Sequence, residues 1–319
     1  MPLAQRLALR MLNQFERGDL GISLKRGEEM SGRALEAIVV PYDVERDDTP
    51  MARGPQGLVA HGFLDALRGA GREVHRTDLW NRVQNGGKAE VVAGLGRNVA
   101  RAVASAQARQ RFPLILSGGC LTAVGVVAGL QRLGRGVGGV GVVWIDAHGD
   151  FNTPESTPSG YWDGMALAAV CGRSLPEVYE PVELRPVHFR DVVHLAGRAF
   201  DPPEVEDIQR LNLAVVPPRE ICDETAFERI RRVAGGVDAK ELYLHIDLDG
   251  LDPGDAPAVG NPVPGGPALD DVLRCLKRLG EVGQPGAMTL SAMSFDGLDE
   301  AQARTMVATC VRLVETFVR

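Results

Sequence analysis

From about residue 34 onward the chain alternates two kinds of pattern. Short apolar runs occupy residues 37–40, 114–116, 140–145, 192–195, 213–216, 242–246 and 287–295, most of them rich in β-branched side chains. Such runs predict buried strands. Between them, residues 56–67, 94–109, 123–132, 165–171, 203–211, 224–233, 269–279 and 300–318 read as helices. Alternating helices and near-continuous apolar strands predict a parallel sheet covered on both faces.

Composition narrows this picture. With 319 residues and 45% hydrophobic content, the chain can bury a full core. No internal repeat or low-complexity linker divides it, so residues 34–319 read as one α/β domain. Residues 1–33 read as an N-terminal extension. Leu3, Leu7, Leu9 and Leu12 give it a short amphipathic character, while Glu16, Asp19, Glu28 and Glu29 argue against a transit peptide. The net charge is −7 and no Lys/Arg-rich run stands out, which argues against a nucleic-acid partner. No apolar run approaches the ~20 residues that span a bilayer. Five scattered cysteines without a CxxC motif read as reduced thiols in a cytoplasmic protein.

The chemistry concentrates at strand ends. Asp146-Ala147-His148-Gly149-Asp150 follows the 140–145 run, and Asp247-Leu248-Asp249-Gly250-Leu251-Asp252-Pro253 follows the 242–246 run. Carboxylates beside a buried strand are costly unless paired or bound to a cation. Ligands of parallel sheets sit beyond the carboxyl ends of the strands, where both clusters fall. Cys120 follows another strand there, after Ser117-Gly118-Gly119. Alternation with small residues would put Asp146, His148 and Asp150 on one side if the strand continued. Four carboxylates and one imidazole carry more charge than one divalent ion needs, so two ions about 3.5–4 Å apart balance it better. A mostly oxygen donor set with one imidazole favours Mn²⁺. The plainer reading of each DxD is an N-cap or turn device. The GxGxxG spelling at Gly134–Gly139 precedes a strand instead of following one, so it reads as a loop. His61, His75, His188 and His194 lie in no ligand-like cluster. His245 shares a strand face with Asp247, which already fills the ligand role.

These motifs, with Phe151-Asn152-Thr153-Pro154 and Thr157-Pro158-Ser159-Gly160, resemble the arginase–agmatinase family of ureohydrolases. The resemblance runs from about Ala34 to the end. It implies a three-layer α/β/α fold with a mostly parallel central sheet, a binuclear manganese centre, and hydrolysis of a guanidino or amidino group. It also implies assembly into trimers or hexamers. Asp146, His148, Asp150, Asp247 and Asp249 fall on its metal-ligand positions. Its remaining ligand is usually a histidine in a Gly-Gly-Asp-His-Ser loop, where this chain has Cys120. A bound thiolate is softer than imidazole, which weakens a pure Mn²⁺ preference; the plain alternative is a buried thiol. Asn152, Thr157 and Ser159 fall where arginases hold the substrate carboxylate, and Asp201 and Glu204 where they hold the α-amino group. All five also suit turn or cap roles.

Two positions depart from the family pattern. Asp163 stands where the family has a proton-shuttle histidine. Ser294 stands near its guanidinium-binding glutamate, and Asp296, two residues on, would share a face with Ser294 along a strand. The resemblance therefore implies a metal-dependent hydrolase acting on an arginine or N-hydroxyarginine type of substrate, with Asp150 as proton carrier and Asp163 assisting. The alternatives are a formimidoylglutamase-like enzyme and a catalytically degenerate regulatory member.

Overall fold

The computed structural model describes residues 33–79, 86–132, 139–234 and 241–318. The extension before residue 33 and most of the glycine loop at 134–139 lie outside them. Eight parallel strands form one sheet: β1 (Leu35–Val40), β2 (Val74–Asp78), β3 (Phe112–Ser117), β4 (Val140–Ile145), β5 (Val192–Leu195), β6 (Ala214–Val216), β7 (Glu241–Asp247) and β8 (Gln284–Ser291). Their spatial order is β2-β1-β3-β8-β7-β4-β5-β6. The sheet is thus wholly, not mostly, parallel, and helices pack on both faces to give three layers. Every residue of β1, β3, β4 and β5 is buried. Such strands have no polar face, as burial between two helical layers requires.

Among the described residues, the α-helices of five residues or more are α1 (Pro50–Ala60), α2 (Phe63–Gly69), α3 (Lys88–Ala108), α4 (Ala123–Arg132), α5 (Ala166–Val170), α6 (Pro202–Leu211), α7 (Glu224–Ala234), α8 (Leu269–Val282) and α9 (Glu300–Phe317). The single helix expected over 56–67 is two, parted at Gly62, whose φ of 89° ends one helix and opens the next. No described helix is long and apolar enough to cross a membrane. All five cysteines are free.

One ion pair shows what the buried strands tolerate. Glu36 of β1 is 4% exposed. Its carboxylate accepts 2.7 Å hydrogen bonds from Arg111 Nη1 and Thr77 Oγ1. Burial pushes the carboxyl up, but the Arg111 and Thr77 bonds outweigh it and hold it below the ordinary glutamate value. The pair therefore contributes stability that is present above that value and lost as pH falls through the lowered one. Arg111→Met is expected to cost about 3 kcal/mol at neutral pH by stranding a buried charge. The cost should shrink in acid, where Glu36 is protonated. Urea unfolding of both proteins between neutral and acid pH checks this; a cost that does not change with pH counts against it.

Candidate metal centre

Four adjacent strands, β3-β8-β7-β4, carry the site at their carboxyl ends. β4 ends at Ile145 and delivers Asp146, which is 1% exposed. The strand does not continue, so the expected period-two alternation fails and the loop curls instead. Asp150 has φ 50°, a left-handed conformation that non-glycine residues rarely adopt. Gly149 is required there because a Cβ would lie 2.4 Å from the Glu204 carboxyl carbon. β7 delivers Asp247, whose Oδ1 accepts from the N–H of Asp249 at 2.9 Å. Asp249 Oδ1 in turn accepts from the N–H of Ala147 at 3.2 Å, tying the two acidic loops together. After β3, Cys120 sits 2% exposed, with Sγ 3.0 Å from Asp247 Oδ2.

Two donor groups result. Atoms of Cys120, Asp146 and Asp247 lie within 4.8 Å of one another, and so do atoms of Asp146, His148 and Asp249. Asp146 belongs to both. Asp150 is in neither triad but lines the same cleft, about 320 Å³ in volume, with Cys120, His148, Asp247 and Asp249. Its buried Oδ2 has no hydrogen-bond partner among the described residues. A buried carboxylate oxygen without a donor is rare in folded proteins. The pull on protons points the same way. Burial, then Asp249, pushes Asp146 up to about 7. Burial, then Asp146, pushes Asp150 well above the ordinary range. Asp146 and Asp249 push His148 up to about 11. The cluster holds more negative charge than one imidazole can offset, so the residues fit a pair of divalent cations.

The sequence profile of the Arginase family matches residues 37–313. The chain belongs to the arginase family. It is 31% identical over 261 residues to the arginase of Bacillus caldovelox, spanning 73% of this chain and 82% of that one. It is 33% identical over 243 residues to the arginase of Brucella melitensis, spanning 72% and 79%. The crystal structure of Bacillus cereus arginase superposes with a TM-score of 0.77 at 29% identity, covering 90% of this chain and 98% of that one. Membership makes this arginase-family chain a metal-dependent amidinohydrolase of the ureohydrolase class.

The other expected residues divide. Asn152, Thr157, Ser159, Asp201 and Glu204 all line the cleft. Asn152 Nδ2 donates to Asp201 Oδ2 at 2.9 Å. Thr157 and Ser159 accept from the N–H groups of Gly160 and Tyr161. Glu204 is 2% exposed, and its two oxygens accept from the N–H groups of Phe151 and Asp201. It fastens the Asp150 loop to the start of α6, the capping alternative anticipated above. Asp163 also lines the cleft, and its two oxygens accept from the N–H groups of Cys120 and Leu121 at 2.8 and 2.7 Å. Burial raises it to about 6 against those two bonds. Its geometry is that of an anchor for the Cys120 loop.

The expectation that Ser294 and Asp296 share a strand face does not hold. Neither lines the cleft. β8 stops at Ser291 and Ala292 turns left-handed at φ 60°, so no strand carries the two residues on a common face. Ser294 bonds through its N–H to the Ala258 carbonyl, and Asp296 pairs with Arg53 at the surface.

Several supporting residues escaped sequence reading. Arg198 is one: its guanidinium donates to the carbonyl oxygens of Ala196, Asp249, Gly250, Leu251, Val263 and Pro264, pinning the loop after β7. An arginine three residues after a strand gives no pattern that announces this. His194 is fully buried. Burial lowers it to about 4, so it is neutral and donates from Nε2 to the His148 carbonyl at 2.7 Å. Arg198→Met should cost about 2–4 kcal/mol, because bonds from a charged donor are lost and carbonyls are left unpaired. Thermal unfolding of metal-free protein tests it; an unchanged melting temperature would show that the loop stands without Arg198.

Proposed function

We propose that this chain is a binuclear metal hydrolase that cleaves a C–N bond of the guanidino or amidino group of an arginine-like amino acid, releasing urea or a urea analogue. The observation that carries the proposal is the gathering of Cys120, His148, Asp150, Asp247 and Asp249 in one cleft over buried Asp146, with the Asp150 Oδ2 unpartnered. Cys120, Asp146, His148, Asp150, Asp247 and Asp249 would hold two divalent ions, Mn²⁺ first among them. When bound, such ions lower the pKa of water towards neutrality and offset the charge that develops at the attacked carbon.

The chain's own groups supply the rest. Asp150 presents a free oxygen to the cleft and is the group that takes a proton and returns it to the leaving nitrogen. Asn152, Thr157 and Ser159 offer uncharged donors to a carboxylate, and Asp201 offers an acid to an ammonium. Glu204 acts by holding Asp201 and the Asp150 loop in place. Asp163 acts by holding the Cys120 loop, and its buried carboxyl faces the same cleft as a second proton-carrying group.

No Lys or Arg is among the described residues that line the cleft, whereas six carboxylates are: Asp150, Asp163, Asp201, Glu204, Asp247 and Asp249. Two divalent ions leave that lining, with Asp146 and His148, short of positive charge. A cationic or neutral substrate group suits this field, and the second carboxylate of a formimidoylglutamate does not. Arginine, N-hydroxyarginine, agmatine and formimidoylglutamate assayed for urea, hydroxyurea or formamide decide between them. Turnover of formimidoylglutamate alone, or of none of the four by metal-loaded protein, would defeat the proposal. The subunit is expected to be cytoplasmic and to assemble as a trimer or hexamer.

A further inference from the structure

Beneath the cleft, two rings stack across neighbouring strands. Trp144 of β4 and His245 of β7 are register partners, with centroids 3.6 Å apart and planes 12° from parallel. Both are fully buried. The polar edge of each leads to a different member of the Cys120–Asp146–Asp247 group. Trp144 Nε1 donates to Asp146 Oδ2 at 3.1 Å. His245 Nε2 lies 3.1 Å from Ser291 Oγ, and Ser291 Oγ lies 3.2 Å from Cys120 Sγ. At the far side, His245 Nδ1 is 2.9 Å from the Tyr243 hydroxyl, which is 2.8 Å from Thr289 Oγ1.

The bonding capacities allow this chain two directions, set by which His245 nitrogen carries the proton. A neutral imidazole has one donor and one acceptor nitrogen. With the proton on Nε2, Thr289 donates to Tyr243, Tyr243 donates to His245 Nδ1, and His245 Nε2–H donates to Ser291 Oγ. The serine proton is then left for the Cys120 sulfur or for the Ile246 carbonyl, 3.3 Å away. The sulfur's other polar neighbour, Asp247, has no proton to give when ionised. In that tautomer Ser291 is the described hydroxyl placed to donate to a metal-binding thiolate.

We propose that the Trp144–His245 stack is a positioning platform for one half of the metal centre. Trp144 orients Asp146, and His245, acting through Ser291, turns the Cys120 sulfur towards the same point. This rests on the reading of Cys120 as a ligand. It adds Trp144, His245 and Ser291 as positioning residues, and makes the ion held by Cys120, Asp146 and Asp247 depend on them more than its neighbour beside His148 and Asp249 does. Groups that orient metal ligands typically change affinity by about 10–100-fold.

Cobalt tests this, because a thiolate bound to Co²⁺ gives a sulfur-to-metal charge-transfer band. The full chain, Ser291→Ala, Ser291→Thr and His245→Phe would be titrated with Co²⁺, following the band and the ions bound per subunit. The unaltered protein is expected to bind two ions and show the band. Ser291→Ala and His245→Phe should weaken the ion responsible for the band by about 10–100-fold. The other ion should stay, and Ser291→Thr, which keeps the hydroxyl, should restore the band. Should His245→Phe not fold, the Ala and Thr variants of Ser291 decide the matter alone. A Ser291→Ala protein with unchanged band and affinity overturns the platform. Absence of the band from the unaltered protein instead removes Cys120 as a ligand, and the platform with it, while leaving the hydrolase to be judged by its substrates.

Discussion

Stripping divalent metal with a chelator is expected to abolish turnover and lower the melting temperature on the order of 10 °C, and added Mn²⁺ or Co²⁺ to restore both. The size follows from two quantities. Ligand present at a thousand times its dissociation constant stabilises a site by about 4 kcal/mol. For a domain of this size, each kcal/mol moves the melting temperature by about 2–4 °C. The sign follows from the site. Asp146, Asp150, Asp163, Asp247 and Asp249 are all buried within one cluster. Without cations, only protons and the imidazolium of His148 can offset them, which is why burial and mutual repulsion raise Asp146, Asp150 and Asp247. Differential scanning calorimetry of chelated and reloaded protein, alongside an assay for released urea or urea analogue, gives both readings. Chelated protein that melts and turns over like loaded protein would refute the metal centre.

Much of this fold can be read from the chain, and the misses share a cause. The strands at the centre of the sheet announce themselves because both of their faces are buried. β2 does not, because Val74-His75-Arg76-Thr77-Asp78 lies at the sheet edge and keeps polar side chains towards solvent. The run at 287–295 reads as one strand because Met293 is buried like a strand residue, though it lies beyond the left-handed turn at Ala292. That overrun is also what put Ser294 and Asp296 on a shared strand face. At the site, the acids and His148 are legible because residues that gather about a cation come in tight sequence clusters at strand ends. The groups that hold them are not. Trp144, His245 and Ser291 are single residues within apolar strands, and Arg198 and Glu204 act on loops far away in sequence. Their roles exist only once parallel pairing sets Trp144 beside His245 and brings Ser291 level with Asp247.

Asp150→Asn is expected to keep the ions and lose about 10²–10⁴-fold in kcat, with little change in KM. Asparagine is nearly isosteric and tolerates the left-handed backbone found at this position, so the loop should keep its shape. The amide oxygen can still face a cation, but the side chain can no longer take up a proton and release it to a departing nitrogen. The unpartnered Asp150 Oδ2 is the atom on which this difference acts. Asp163→Asn provides the contrast. Both Asp163 oxygens accept backbone N–H groups from the Cys120 loop, and an amide can accept with only one of its two heavy atoms. That variant should first lose metal on the Cys120 side and lose rate as a consequence, recoverable in part by excess ion. Metal content and steady-state rates of both variants, measured on the same preparations, separate the two roles. Full turnover by metal-loaded Asp150→Asn would end the case for Asp150 as proton carrier; a rate that recovers with excess ion would make it a ligand alone.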